Sequence, residues 1–220
     1  MRKWSMIAAI ASFTLVVGAV AATSLPVSAS VPECAPGLSP SCITITSGLF
    51  ARNYAVESYR GHQAAGSKII LRQLSDTDPS EAFWVHYNGT VGALGLELGL
   101  FRGSPLLVKY AKDEVYEFVY YPDPGSELCL GTTSTSAVNG TTVALEPCGV
   151  DFATLWVADG HLGHGFIRLI SGASQGGTGY ALSVPNGVKP TSGPQLVTSI
   201  LTPSGPPTAD YQLWGTKPLS

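Results

Sequence analysis

The chain has 220 residues, with 12 Lys plus Arg against 15 Asp plus Glu, a formal net charge of −3, and only 12% charged residues. Its basic residues are scattered singly, so no cluster is available to meet phosphates or release counterions, which excludes nucleic acid and anionic lipid as partners. The 25 glycines and 16 prolines cut short runs rich in Val, Ile, Thr, Tyr and Leu, a pattern that predicts an all-β domain.

At the start of the chain, Arg2 and Lys3 precede an apolar run from Met6 to Ala22 and a small-x-small exit at Val27-Ser28-Ala29. This predicts a secretory signal peptide at residues 1–29, cleaved after Ala29, with Ala22 as the second choice. The run carries Ser12, Thr14 and Gly18 and falls short of the ~20 apolar residues that a spanning helix needs, so no membrane anchor is expected after cleavage. Glu33 before Cys34 is not the small residue that a lipidated cysteine requires. Loss of Arg2 and Lys3 takes the 12 basic residues to 10 against 15 acidic ones, a charge of −5. What remains is enough for one domain with a real core and is expected to be a monomer.

All four cysteines lie in the exported part, where an even count suggests two bridges. Proximity favours Cys34 with Cys42, in an N-terminal segment at 30–42, and Cys129 with Cys148. The domain itself is expected at 43–220, with candidate strands at 43–46, 68–71, 115–120, 142–145, 166–170 and 196–200. Asn139-Gly140 is a hairpin signal, because both residues tolerate positive φ. Between strands, residues 91–112 alternate Gly92, Gly95, Gly99 and Gly103 with leucines before Ser104-Pro105, which predicts an inserted hairpin or a glycine-rich flap. The stretch 203–210, with Pro206-Pro207, reads as a loop.

An internal repeat organises these pieces. Tyr54-Ala55-Val56, Gly66 and Phe83-Trp84 recur as Leu128-Cys129-Leu130, Gly140 and Leu155-Trp156, then as Tyr180-Ala181-Leu182, Gly193 and Leu213-Trp214. From the middle of each triplet to its glycine the steps are 11, 11 and 12, and from glycine to tryptophan 18, 16 and 21. Constant short steps with tolerant loops are what three units need to place the same apolar side chains in one shared core. Trp84, Trp156 and Trp214 are therefore expected as core residues.

The second unit, from Cys129-Leu130-Gly131 through Asn139-Gly140-Thr141 to Cys148 and Leu155-Trp156, resembles a ricin B-type β-trefoil repeat, and Gln212-Leu213-Trp214 is that family's Gln-x-Trp motif. The resemblance spans roughly residues 43 to 217 outside the insertion and implies twelve strands, six in a barrel and six in capping hairpins. It also implies sugar sites built from an acid just after the opening triplet, an aromatic on the following hairpin, and Asn or Gln near the Trp motif. The acid position holds Glu57, Gly131 and Ser183, the strand after the hairpin glycine offers Arg72, Glu146 and Thr198, and the motif glutamine is replaced by Ala82 and Thr154 in the first two units. The first unit keeps the most usable groups: Glu57, with Tyr59 and His62 on its hairpin.

Catalytic motifs fail on context. Gly172-Ala173-Ser174-Gln175-Gly176 fits a hydrolase elbow pattern, but Gly177, Thr178 and Gly179 follow in place of a helix, and no histidine follows Ser174. His161 and His164 with Asp159 fall short of a metal ligand set. Asp123, Glu127, Glu146 and Asp151 show no spacing that selects a glycosidase pair. The sequence thus predicts a secreted, non-catalytic module without cofactor or metal that binds a glycan or, alternatively, an extracellular protein.

Overall fold

Short apolar runs can bury their backbone N–H and C=O groups only by pairing with one another. In the computed structural model, which describes residues 42–218 apart from 51, 76–77, 122–126, 150 and 202–209, these runs pair as a closed ring. The expected signal peptide at 1–29, the segment at 30–41 with Cys34, and the loop at 202–209 lie outside the described residues.

Each unit supplies four strands among the described residues. The first has β1 (Cys42–Ser47), β2 (Tyr54–Ser58), β3 (Ile69–Gln73) and β4 (Ala82–Thr90); the second β5 (Glu114–Tyr120), β6 (Leu128–Thr132), β7 (Val143–Pro147) and β8 (Trp156–Asp159). The third has β9 (Arg168–Ser171), β10 (Tyr180–Ser183), β11 (Val197–Ile200) and β12 (Trp214–Pro218). Antiparallel pairing runs from β12 to β1, β4, β5, β8 and β9. Ile167, just before β9, bridges back to Trp214 and closes the six-stranded barrel. The hairpins β2–β3, β6–β7 and β10–β11 cap it. Bridges Lys68 to Ala144, Ile70 to Gln195 and Thr142 to Val197 tie the three hairpins to one another. This is a β-trefoil.

The core holds the last residue of each opening triplet, Val56, Leu130 and Leu182, around Trp156 and Trp214. Both indoles are fully buried, and each donates its N–H to the triplet carbonyl of its own unit: Trp156 Nε1 to Leu130 at 2.8 Å, Trp214 Nε1 to Leu182 at 2.9 Å. A buried indole needs such an acceptor. The strand register corrects the expectation for the first unit. Ile43 pairs with Phe83 as Tyr116 pairs with Trp156 and Ile167 with Trp214, so Phe83 and not Trp84 occupies the third core position. Successive strand residues face opposite sides, so Trp84, one step further, is partly exposed and stacks on His86 at 5.4 Å.

Cys129 and Cys148 form a disulfide that ties β6 to the end of β7. With a sequence separation of 19, it contributes about 3 kcal/mol in the chain-entropy picture. Cys42 is also disulfide-bonded; its expected partner, Cys34, lies outside the described residues.

The insertion is helical, neither hairpin nor flap. Strands β4 and β5 run on past the barrel, and between them lie α1 (Val91–Glu97) and α2 (Pro105–Lys109). Thr90 accepts from the Ala93 N–H and Ser104 from the Leu106 N–H, so the Ser-Pro that reads as a break starts a helix instead. The glycines serve close packing. A Cβ on Gly95 would sit 2.2 Å from Leu107 Cδ1, and one on Gly92 2.9 Å from the Ala111 carbonyl oxygen. Val91, Leu94, Leu100 and Leu106 thereby bury against Val115, Val157 and Ile170 as a second core.

Two measurements check these assignments. Phe83→Ala should cost about 3–5 kcal/mol in chemical denaturation, whereas Trp84→Ala should cost under about 1 kcal/mol; equal losses would put Trp84 back in the core. Gly95→Ala, despite better helix propensity, should lower Tm by roughly 2–4 °C because overpacking against Leu107 outweighs the ~1 kcal/mol gain.

Candidate functional site

The first unit builds a cavity of about 430 Å³ where its hairpin meets the turn before β4. Glu57 comes from β2, and its cross-strand partner is Ile70, which places Arg72 of β3 two residues on and diagonally across the same face. After β2 the chain turns through Arg60 (φ 58, ψ 26) and Gly61 (φ 64), both left-handed. Asp78 caps the turn Pro79–Glu81: its Oδ1 accepts from the Ser80 N–H at 2.9 Å and the Ser80 hydroxyl at 2.6 Å. Tyr120, the last residue of β5, comes in from the second unit, and all of these groups line the cavity.

Glu57 is 1% exposed. Its Oε1 accepts from Arg72 Nη1 at 3.1 Å, and its Oε2 has no hydrogen-bond partner. Ser80 cannot supply one, because its proton goes to Asp78. Tyr120 Oη, on a side chain with no exposed surface, is likewise unpartnered; the Ser58 hydroxyl donates to the His62 carbonyl at 2.6 Å. Burial raises the Glu57 carboxyl above its ordinary 4.5, against the opposing pull of the Arg72 guanidinium. Burial also pushes the Tyr120 phenol up to about 12, so it keeps its proton at neutral pH. Two residues lining the cavity thus carry a buried polar atom without a hydrogen-bond partner, one a carboxylate oxygen and one a phenol oxygen.

The structure separates the three ligand-binding residues expected from sequence. Glu57 lines the cavity, whereas Tyr59 and His62 do not: both are exposed and meet each other edge to face at 6.2 Å. The Arg60 guanidinium covers the Tyr59 ring at 5.0 Å. Sequence nearness on a hairpin does not give a shared face, because the two consecutive left-handed residues redirect the chain between them. Arg60, Arg72, Asp78, Ser80 and Tyr120 take their places in the cavity. Asp78-Pro79-Ser80 is a legible capping signature, but Tyr120 belongs to another unit, and no spacing within one repeat could find it.

The other two units carry different groups at the same position. In the second, a Cβ on Gly131 would meet Glu146 Cβ and Cγ at 3.1 Å, because the Glu146 side chain lies over it. The cavity left there is about 120 Å³. In the third, the buried Ser183 hydroxyl donates to the Ala181 carbonyl at 2.9 Å. The motif glutamine is structural: Gln212 Nε2 donates to the Ile200 carbonyl at 2.8 Å, tying β11 to the start of β12. Its counterpart in the first unit is Glu81, not Ala82; both Glu81 carboxylate oxygens accept from the Ser75 N–H at 3.1 Å.

Ser174 is committed to its own loop, donating to the Ser171 carbonyl at 2.7 Å and accepting from the Tyr180 N–H at 3.0 Å. The rings of His161 and His164 lie 6.4 Å apart, and among the described residues no three His, Cys, Asp or Glu side chains converge as a metal site would require.

No protein-family model and no curated protein sequence matches the chain. Solved structures do. A designed threefold-symmetric protein, ThreeFoil, is similar with a TM-score of 0.56 at 18% identity, over 80% of this chain and 97% of that one. The Rhizoctonia solani agglutinin is similar with a TM-score of 0.54 at 13% identity, over 83% of this chain and 98% of that one. An exo-β-1,3-galactanase from Clostridium thermocellum matches with a TM-score of 0.54 at 12% identity, over 81% of this chain but 30% of that one. At these identities the likeness establishes the trefoil fold alone.

The Glu57 carboxyl sets a pH dependence with a defined sign. The folded chain holds this proton more tightly than the unfolded one, so its contribution to stability is full below 4.5 and is lost as pH rises through the raised value. Glu57→Gln should remove that loss. The Tm of the variant relative to wild type should therefore climb between pH 4 and 7, as followed by calorimetry; a constant difference contradicts the assignment.

Proposed function

We propose that this chain is a secreted, non-catalytic carbohydrate-binding module, a divergent ricin B-type trefoil whose first unit retains a working site. The observation that carries this reading is the pair of unpartnered buried groups, Glu57 Oε2 and Tyr120 Oη, lining one open cavity. A buried polar atom without a partner costs about 1–3 kcal/mol, and a bound hydroxylated ligand recovers it. Sugar hydroxyls suit both groups, donating to the carboxylate and exchanging hydrogen bonds with the phenol. A non-catalytic role is supported by Asp78, the other carboxylate of the cavity, which is spent on holding Ser80 rather than poised opposite Glu57. Export is supported by the basic head, apolar run and small-residue exit at 1–29.

A second reading, an extracellular protein-interaction module, is favoured by one feature. On the helical insertion Leu96 and Val108 are 83% and 82% exposed, beside an exposed Leu98. A glycan array followed by titration of the hits decides between the two. The carbohydrate reading expects discrete hits whose affinity falls about tenfold or more in Glu57→Gln, with the far-UV circular dichroism unchanged. A flat array, or hits indifferent to Glu57→Gln, overturns it in favour of the insertion surface.

A further inference from the structure

We infer that the first-unit cavity selects carboxylated saccharides over neutral ones, with Arg60 and Arg72 receiving the carboxylate. This rests on the carbohydrate reading above. The cavity is graded in charge from inside to rim. Its inner wall includes Glu57 and Tyr120, both buried, whose Oε2 and Oη have no hydrogen-bond partner. At its mouth lie two guanidinium groups: Arg60 is exposed, and the Arg72 side chain is 57% exposed.

Neither guanidinium is used up. Arg72 spends one N–H on Glu57 Oε1, out of the five donors an arginine carries. Arg60 has no carboxylate partner among the described residues; its guanidinium is held against the Tyr59 ring. The chain also accepts strain to hold Arg60 there, since φ 58 is a left-handed conformation that glycine or asparagine would adopt more cheaply. Gly61 beside it, at φ 64, shows that a glycine is tolerated in the same turn.

An anion cannot lie deep, because Glu57 would repel it, and a neutral sugar leaves the rim unused. A sugar ring carrying a carboxylate satisfies both ends: its hydroxyls reach Glu57 and Tyr120, while the carboxylate lies in the fork of a guanidinium, the geometry that arginine matches best. The second unit supports the contrast. Its smaller cavity is lined by Glu146 and Asp151 and has no basic residue among its lining.

Titration calorimetry of the full secreted chain with glucuronate and galacturonate, each against its neutral parent sugar, tests this. At low ionic strength each uronate should bind at least about fivefold more tightly than its parent, and 0.5 M NaCl should shrink that ratio while leaving the parent sugar little changed. Arg60→Asn, which keeps a residue at ease in the left-handed turn and leaves the Glu57–Arg72 pair intact, should bring the uronate-to-parent ratio towards one. Arg72→Gln should do the same if it folds. Parent sugars that bind as tightly as the uronates, or a ratio indifferent to both salt and Arg60→Asn, overturn the inference and leave the carbohydrate reading standing. Binding of no saccharide, here and on the array, overturns that reading and the inference with it.

Discussion

Closure of the barrel between Ile167 and Trp214 is the constraint on which the rest depends. Their backbones exchange two hydrogen bonds, each 2.8 Å long, across the seam between third-unit strands that are far apart in sequence. Without this seam the six barrel strands form an open sheet with two unpaired edges, the arrangement that invites pairing with other chains. With it, every barrel strand has a neighbour on both sides. The same residue that closes the seam, Trp214, also fills the core and donates its indole N–H to Leu182.

Closure explains which features repeat and which do not. Residues that point into the barrel answer to a shared volume, so Phe83, Trp156 and Trp214 converge although their sequence steps differ. The turns that deliver them also repeat: Asp78 and Asp151 each cap a 3₁₀ turn in the same way, through the N–H of its second residue, Ser80 and Ala153. The position of the motif glutamine shows the limit of that pressure. Gln212 and Glu81 both fix the end of a hairpin strand, by donating and by accepting, whereas Thr154 turns to the Glu117 carboxylate at 2.7 Å. Side chains on the outer faces are free of the core volume and differ between units: a cavity of about 430 Å³ beside Glu57, a smaller one lined by Glu146, and a buried Ser183 bonded within its own strand.

The core was legible in sequence to the extent that its chemistry is periodic. Trp156, Trp214, the hairpin glycines and the Cys129–Cys148 bridge follow from spacing alone. Trp84 misled because tryptophan is the stronger signal, while the strand alternation that decides its face was one residue out of phase; a Phe-Trp pair holds no mark of which ring is inside. In the insertion, glycine and Ser-Pro read as breakers by composition, yet their effect depends on what lies opposite: Leu107 against Gly95, and the Leu106 N–H that the Ser104 hydroxyl caps. The site was legible only at Glu57. Arg72 becomes part of it through strand register, and Tyr120 through contact between units, neither of which a single repeat encodes.

The energetic costs in this molecule are not spread evenly. Four buried side-chain atoms among the described residues lack a hydrogen-bond partner, and two of them, Glu57 Oε2 and Tyr120 Oη, line the same cavity. Arg60, one of the few non-glycine residues at positive φ, lines it too. The fold does not require any of these. Gly131 and Ser183 occupy positions equivalent to Glu57 without a buried charge, and the trefoil closes around them equally well. Three separate departures from the cheapest solution, each worth on the order of 1–3 kcal/mol, meet around one cavity, two from the first unit and one, Tyr120, from the second. A ligand of the kind proposed above would satisfy them together, and that is the physical ground for placing the proposed site there.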